Sequence, residues 1–316
     1  AAARAVPAAP SDNATEDKEL SMGTYNDENP NALDPNGWRT VLFDGFNGDA
    51  VDRDLWPVLY GDGTGNGGAF QWSHSDVRVG GGELTISMTN HGDHWSAGGV
   101  SQGWEGQTYG RFEVRAKVDP GQGTQGVVVM WPTDNNYPPE IDLLETPEGD
   151  RSKAHFTQHW DGGGGADHYE SRSFELDASQ WHTYAVDWAP GKLTYYIDGR
   201  EMFSTTSNVP DEPMALGFSG WVSTDGQSWF NGGPDATTPG QVSMHIDWAR
   251  ISVADGGSQP AAAQEAAVQE VPAQEPAPAP AQETAPAPAP EPEPEAAEEE
   301  VLELTELYEA PADEPA

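Results

Sequence analysis

Apolar and polar residues alternate with a period of two in several segments in the middle of this chain. In segment 111–118, Arg-Phe-Glu-Val-Arg-Ala-Lys-Val, every second residue is apolar. The same alternation occurs in 183–188 and in 242–248, where Trp248 continues the apolar series of Val242. Side chains two residues apart share one face of a strand, so each segment predicts a strand with one buried and one solvated face.

Turn-forming residues separate these segments, and few stretches show the 3.6-residue period of a helix. Asp198-Gly199 lies between two β-rich runs, and this pair favours a tight hairpin turn. Many short strands joined by Gly, Asn, Asp and Pro turns are typical of an antiparallel sandwich. The predicted fold class is therefore all-β, with two curved antiparallel sheets.

The distribution of residue types divides the chain into three predicted parts. All 12 tryptophans and all 8 histidines lie between Trp38 and Trp248, so residues 39–256 are predicted to form one all-β domain. Residues 1–38 have few large apolar side chains and predict a flexible arm. Residues 257–316 contain 12 prolines, 15 acids and no base, which predicts a disordered acidic tail.

Charge and cysteine content exclude several classes of function. With 53 acidic and 14 basic residues the net charge is -39, which repels phosphate, so we expect no nucleic-acid partner. The chain has no cysteine, which excludes disulfides and thiolate chemistry. No stretch approaches the roughly 20 apolar residues of a membrane span. The first residue, Ala1, fits removal of a secretion signal, so we expect a secreted protein. We also expect a monomer.

One segment, Pro138-Pro-Glu-Ile-Asp-Leu-Leu-Glu-Thr-Pro147, places three acids among branched aliphatic residues. Glu140 and Asp142 share a strand face because they are two residues apart. Glu145 has the opposite parity, and a β-bulge at Leu143-Leu144 would bring it to the same face. We therefore predict a bulged strand with one aliphatic and one acidic face.

The spacing of these acids suits catalysis of glycosidic bond cleavage. With the bulge, the Cα atoms of the two glutamates are roughly 13 Å apart, a distance that their side chains can largely close. Retaining glycosidases hold their carboxyl groups about 5–5.5 Å apart and inverting ones about 6.5–9.5 Å, and this estimate leaves both open. Asp142 lies between them and could share a proton with either. Solvated acids, or a structural calcium site, are the alternative interpretations.

Several segments resemble glycoside hydrolase family 16, in which an E-x-D-x-x-E signature with a β-bulge occurs in laminarinases and agarases. Glu140-Ile-Asp-Leu-Leu-Glu145 resembles that signature. Together the similar segments cover most of residues 40–253 in the order of the family. Besides the signature they are 109–118, 120–123, 129–132, 181–188, 195–199, 234–238 and 244–251.

The resemblance implies a concanavalin-like β-jelly-roll with a substrate cleft on its concave sheet. It also implies Glu140 as nucleophile, Glu145 as general acid/base and Asp142 as assisting acid, in an endo-acting, retaining hydrolase of a β-linked polysaccharide. We favour a β-1,3 or mixed β-1,3-1,4 glucan, and a galactan stays open. We expect no required cofactor. A structural calcium is left open, because Asp44-Gly45-Phe46 replaces the Asp-Glu-Phe that is usual in the family.

Aromatic residues and one histidine are further candidates for substrate contacts. Trp131 resembles a cleft-floor tryptophan of the family, and His159 resembles a neighbour of the acid/base; packing is the alternative for both. His155 and His159 would form a zinc pair on a helix, but residues 153–160 predict a strand, which separates them by about 13 Å, so no metal site is expected. Four tryptophans in Gly- and Ser-rich surroundings are candidate sugar platforms or packing residues: Trp95, Trp104, Trp221 and Trp229.

Two other classes of function compete with the hydrolase. A lectin-like, non-catalytic carbohydrate-binding sandwich would need the fold without the chemistry, and the presence of all three acids counts against it. A structural surface protein would act through its acidic tail, and the tryptophans in Gly-rich segments count against that.

Overall fold

The computed structural model describes residues 37–103, 106–224 and 228–254. Trp104 lies outside these residues, as do most of the predicted arm 1–38 and the whole predicted tail 257–316, so the predicted domain boundaries stay predictions. Within the described residues, the helices are three short 3-10 turns, and none has the length or hydropathy to cross a membrane.

Strands form nearly all the regular structure of the described residues. The 3-10 turns are Asn66–Gly68, His74–Asp76 and Ser228–Phe230. The strands are β1 (Trp38–Asp44), β2 (Val58–Leu59), β3 (Thr64–Gly65), β4 (Phe70–Trp72), β5 (Val77–Gly80), β6 (Glu83–Asn90), β7 (Trp95–Ala97), β8 (Gly99–Ser101), β9 (Gly110–Val118), β10 (Thr124–Pro132), β11 (Glu140–Glu145), β12 (Lys153–Asp161), β13 (Asp167–Glu175), β14 (His182–Ala189), β15 (Lys192–Ile197), β16 (Arg200–Thr205), β17 (Met214–Val222) and β18 (Gln241–Ala254).

These strands form two sheets, which confirm the predicted all-β sandwich. The eleven-stranded sheet has the order β16-β15-β14-β9-β18-β6-β7-β4-β3, with β1 on β18 and β5 on β6. The seven-stranded sheet has the order β13-β12-β11-β10-β17-β8-β2. Among the described strands every pair is antiparallel except β4 with β7. The central strand of the seven-stranded sheet is β10, and β11 lies beside it.

The core lies between the two sheets. In β9, Phe112 and Val114 are fully buried, and in β14 so are Tyr184 and Val186. They pack in one cluster with buried residues of β11 such as Leu144. Each large apolar side chain buried in this way contributes roughly 1.5–3 kcal/mol. The alternation in the sequence therefore identified the core faces of both strands correctly.

The prediction that β9 has a solvated outer face was wrong. Glu113 is only 5% exposed and Arg115 only 9% exposed. Glu113 accepts hydrogen bonds from Arg111 and Arg250, and Arg115 bonds Asp247 at 2.9 Å. Because each charge has an opposite partner, these side chains can be buried against each other on the outer face of the eleven-stranded sheet.

The expected face of Trp248 was also wrong, while the predicted hairpin at Asp198-Gly199 is confirmed. The pairing of β18 with β9 shifts register between Ile246 and Trp248, so Trp248 leaves the buried face and Ala249 takes it. Asp198 and Gly199 join β15 to β16 with φ values of 51° and 74°, as a two-residue hairpin turn requires.

Candidate active site

The predicted β-bulge lies in β11, between β10 and β12. Val128 pairs with Leu144 and Val129 pairs with Asp142, so Leu143 is the extra residue. In a regular strand of the same six residues, the parity of the pleat would direct Glu145 into the core. The sequence prediction of the bulge is therefore confirmed.

The bulge gives β11 two chemically different faces. Ile141, Leu143 and Leu144 are fully buried in the core, which is why two consecutive leucines fit in one strand. Glu140, Asp142 and Glu145 line a cavity of about 620 Å³ on the opposite face. The hydrophobic face thus fixes the position of the three carboxyl groups.

A buried arginine supports the end of β11 that carries Glu145. Arg151 is fully buried, and its guanidinium donates to the carbonyl oxygens of Thr124, Thr146 and Glu148 at 2.6–3.0 Å. These bonds tie the loop after β11 to the beginning of β10. Because a buried guanidinium has many donors to satisfy, this arrangement fixes the loop rigidly.

The environment of the two glutamates disfavours their ionised forms. Some atoms of Glu140 and Glu145 are accessible, but their carboxyl groups are largely surrounded by protein. Burial raises the pKa of Glu140 to about 8, with a further contribution from the charge of Glu145. Burial also raises the pKa of Glu145 to about 7, although hydrogen bonds from Thr157 and Gln125 oppose the shift.

Asp142 is the most enclosed of the three acids. It is 2% exposed, and burial, together with the charges of Glu140 and Glu145, raises its pKa well above the usual range. Its hydrogen bond with Glu140 raises the pKa of Asp142 and lowers that of Glu140. Asp142 is therefore the proton donor in this bond and Glu140 the acceptor.

His159 faces the same acids from the neighbouring strand. It lies opposite Glu140 in the register, and its Nε2 is 3.7 Å from Oδ2 of Asp142. One potential ligand atom from each of these three residues lies within 4.8 Å of the others. Ca²⁺ takes 6–8 oxygen ligands, and here a hydrogen bond already joins the two carboxyl groups, so we identify no metal ligands in this set. The structural calcium left open by the sequence stays untested.

The predicted strand geometry of His155 and His159 is confirmed by β12. Each histidine has its own partners: His155 Nε2 is 3.0 Å from Glu148, and His159 Nδ1 is 3.0 Å from Asp167. Trp229 packs edge-on against His155, with ring centroids 4.9 Å apart.

Three of the candidate tryptophans line the cavity. They are Trp131, Trp221 and Trp229. Trp229 is 37% exposed and donates to Gln125 at 3.3 Å, and Gln125 in turn bonds Glu145. These two consecutive hydrogen bonds connect the exposed ring of Trp229 to the carboxyl group of Glu145.

Trp95 does not line the cavity. It is half-buried and packs with a separate small cluster that contains Met88 and Val242. Its Gly- and Ser-rich sequence surroundings suggested a sugar platform, but the pairing of β7 with β6 brings it against this cluster. Trp104, the fourth candidate, lies outside the described residues.

The sequence analysis missed several residues of the cavity. Tyr60, Trp72 and Asn66 line it, and Tyr137 stacks on Trp131 with ring centroids 5.1 Å apart and an interplanar angle of 6°. Tyr137 precedes Pro138-Pro139, so its place beside the E-x-D-x-x-E segment was visible in the sequence. Its stacking partner was not, because nothing local indicates which ring it would meet.

Paired carboxyl groups in an aromatic-lined cavity of a β-sandwich define the type of site found in glycoside hydrolases. The family model "Glycosyl hydrolases family 16" matches residues 65–250. The chain belongs to this family and is a glycoside hydrolase, as its sequence resemblance implied.

Relatives agree with this assignment. A β-glucanase of Bacillus subtilis (strain 168) is 29% identical over 219 residues, which cover 67% of this chain and 86% of that protein. An endo-1,3-1,4-β-glycanase, ExsH of Rhizobium meliloti (strain 1021), is 35% identical over 92 residues, covering 29% of this chain and 20% of that protein. The catalytic domain of an endo-1,3-β-glucanase (laminarinase) from Thermotoga petrophila RKU-1 has the same fold, with a TM-score of 0.59 at 22% identity, covering 69% of this chain and 98% of that chain.

Proposed function

We propose that this protein is an endo-acting, retaining hydrolase of a β-1,3 or mixed β-1,3-1,4 glucan. The observation that carries the proposal is the β-bulge, which brings Glu140, Asp142 and Glu145 to one cavity. The names of two relatives, β-glucanase and endo-1,3-1,4-β-glycanase, support the choice of a glucan.

Each carboxyl group takes one part in the proposed reaction. Glu140 attacks the anomeric carbon and forms a covalent glycosyl-enzyme, while the proton on Glu145 passes to the departing glycosidic oxygen. Glu145 then takes a proton from water, which attacks the same carbon and releases Glu140. Asp142 donates a hydrogen bond to Glu140, which stabilises the ionised nucleophile before attack.

The raised pKa of Glu145 fits its proposed role as an acid. A carboxyl group with the usual pKa would be ionised at neutral pH and could not protonate a leaving group. Burial raises the pKa of Glu145 to about 7, so a substantial fraction carries a proton there. The same acids would serve a lectin poorly, because they destabilise the fold without taking part in chemistry.

The shape of the cavity supports attack within a polymer. Its lining includes residues of five neighbouring strands: Val58 of β2, Ser101 of β8, Gly217 of β17, Val129 of β10 and Asp142 of β11. Four interstrand spacings of about 4.8 Å give a length of roughly 19 Å, which accommodates several sugar units. Trp131, Trp221 and Trp229 offer aromatic surfaces for the apolar faces of these sugars.

We also propose that the protein acts outside the cell as a monomer. A polymeric glucan is too large to cross a membrane, so its hydrolase has to reach it there. Gel filtration and fractionation of a producing culture test both statements.

A polysaccharide panel tests the main proposal. Purified full-length protein is incubated with laminarin, mixed-linkage β-glucan, cellulose, agarose and a β-galactan, and new reducing ends are measured. We expect release from the first two, with oligosaccharides as early products. Release from the galactans alone would reassign the substrate, and binding without release from any member would favour the lectin-like alternative.

A further inference from the structure

Three polar side chains meet beside the Glu140 end of the cavity. His159 of β12 lies opposite Glu140 in the register, and Asp167 is the first residue of β13. Nδ1 of His159 is 3.0 Å from Oδ1 of Asp167 and 2.9 Å from the hydroxyl of Tyr137. Nε2 of the same ring is 3.7 Å from Oδ2 of Asp142. The ring therefore separates Asp167 from the carboxyl groups of the site.

These partners determine which ring nitrogen carries the proton. A carboxylate oxygen only accepts, so the Nδ1 that faces Asp167 has to be the protonated nitrogen of the neutral ring. The hydroxyl oxygen of Tyr137 can accept from the same Nδ1–H while its own proton points to Asp167, so a proton on Nδ1 satisfies both contacts of this nitrogen. Nε2 is then an unprotonated nitrogen directed toward Asp142.

We propose that Asp167 is a positioning residue of the active site: through His159 it keeps a lone pair, rather than an N–H donor, facing Asp142. The inference rests on the proposed function of Asp142 and Glu140. An N–H donor at Nε2 would stabilise ionised Asp142, which could no longer donate to Glu140. Asp167 thus preserves the protonated state in which Asp142 assists the nucleophile.

The substitution D167N separates this role from a simple charge effect. Unlike a carboxylate, the asparagine amide can donate to Nδ1, and the hydroxyl of Tyr137, which loses its charged acceptor, can donate to Nδ1 as well. We therefore expect the ring proton to move to Nε2 and Asp142 to lose its proton to solvent. Ionised Asp142 beside Glu140 raises the pKa of the nucleophile. By contrast, direct removal of the negative charge of Asp167 lowers the pKa of Glu140, because that charge contributes to raising it.

The two effects therefore shift the acid limb of the kcat/KM profile in opposite directions. The groups that face Glu140 are Asp142 and Glu145 of β11, His159 of β12, Asp167 of β13, and Tyr60 and Tyr137 of the flanking loops. In D167N, all of these residues except Asp167 keep their identity. We expect an upward shift of the acid limb and a roughly 10- to 100-fold loss of kcat, the range known for residues that orient metal-binding histidines.

A matched control removes the same charge from the same hairpin. Asp161 pairs with Asp167 in the register, but its carboxylate accepts from the backbone of Gly163 and Gly165 instead of His159. Its replacement D161N keeps an oxygen for these backbone N–H donors, which, unlike a ring nitrogen, cannot reverse the hydrogen bond, so kcat and the acid limb should be unchanged. The variant D167E, which keeps a carboxylate, should retain more activity than D167N.

The experiment combines kinetics with nitrogen NMR on the full-length protein. Histidine labelled with ¹⁵N reports the proton position of His159, assigned by its absence from H159Q. We expect the ring of His159 to carry its proton on Nδ1 in the wild type and in D161N, and on Nε2 in D167N. Adding D167N to the H159Q variant should not reduce kcat further. A downward or absent limb shift in D167N, or a wild-type ring protonated at Nε2 at the pH of maximal activity, would overturn the proposal. The NMR measurement needs no substrate. It therefore tests the role of Asp167 even if the polysaccharide panel contradicts the proposed substrate.

Discussion

Both sheets of this protein bury carboxyl groups, but they do so in opposite electrostatic surroundings. On the outer face of the eleven-stranded sheet, Glu113 is hydrogen-bonded to Arg111 and Arg250, and these cations hold its pKa below the usual value despite its burial. In the seven-stranded sheet, burial raises the pKa of both Glu140 and Glu145. The charge of Glu145 raises the pKa of Glu140 further.

This difference shows that the partners of a buried acid, rather than its depth, decide its protonation. Glu113, which has two arginine partners, stays ionised although it is buried. Acids without a nearby cation retain protons near neutral pH, as a general acid must. The sequence places both kinds in alternating strands, and only their three-dimensional neighbours distinguish them.

The largest expected effect is on catalysis. We expect E140Q and E145Q each to fold and to lose at least about 10³-fold in kcat, because each removes one half of a two-step mechanism. Steady-state rates and circular dichroism measure the two quantities. Near-normal turnover in either variant would contradict the assignment.

The roles of the two glutamates can also be separated. In E145A, azide should restore activity on an activated aryl glycoside, because azide attacks the glycosyl-enzyme without a general base. Proton NMR should show the β-anomer as the first product, and a first-formed α-anomer would indicate inversion instead.

The next effect concerns the paired acid of the other sheet. E113Q deprives Arg111 and Arg250 of a buried carboxylate and should lower the free energy of unfolding by about 3–5 kcal/mol, with the rate per folded molecule unchanged. Urea denaturation measures this loss. As a control in the same sheet, the exposed Glu201 should be replaceable by glutamine within about 0.5 kcal/mol. Equal stability of E113Q and E201Q would show that the ion pairs contribute nothing.

The two regions should respond to pH with opposite signs. A carboxyl group whose pKa is raised on folding stabilises the protein below its unfolded pKa, and this contribution is lost as pH rises through the folded value. For Glu145 the window runs from about 4.5 to about 7, and E145Q should exceed the stability of the wild type by roughly 3 kcal/mol at pH 9 and match it at pH 4.

The contribution of Glu113 should show the reverse dependence. Its pKa is lowered, so its stabilisation is present above the unfolded value and is lost as pH falls below it. The deficit of E113Q should therefore be largest at neutral pH and shrink under acid. Thermal melts of both variants between pH 3 and pH 9 test these two predictions. The same pH dependence of stability in E113Q and E145Q would contradict them.

The smallest expected effect is that of the acidic tail. Deleting residues 258–316 removes 15 acids and no base, yet the composition predicts no contribution to the core. Melting temperature and the rate on a soluble glucan should be nearly unchanged. A drop of several degrees, or loss of activity, would place the domain boundary elsewhere.

The sequence sufficed wherever a local pattern carried the information. Period-two alternation identified the core faces of β9 and β14, and the parity of Glu145 against Glu140 required a bulge that the structure contains. The E-x-D-x-x-E segment alone therefore located the acids of the site.

What the sequence could not provide is the pairing between distant segments. Glu113 and Arg250 are 137 residues apart, so the burial of charged residues in β9 was not foreseeable from alternation. The place of Trp95 outside the cavity and the contact of Asp167 with His159 depend likewise on which strands become neighbours. Such facts are set by the topology of the whole sandwich.

The extra residue in β11 makes the effect of a deletion depend on which residue is lost. Deleting Leu143 would leave Val129 opposite Asp142 and Val128 opposite Leu144, so a regular pleat would keep Glu140, Asp142 and Glu145 on one face. Deleting Ile141 would instead make Glu140 and Asp142 neighbours in the chain, which places them on opposite faces of the strand. A library that shortens residues 140–145 should therefore retain far more activity without Leu143 than without Ile141.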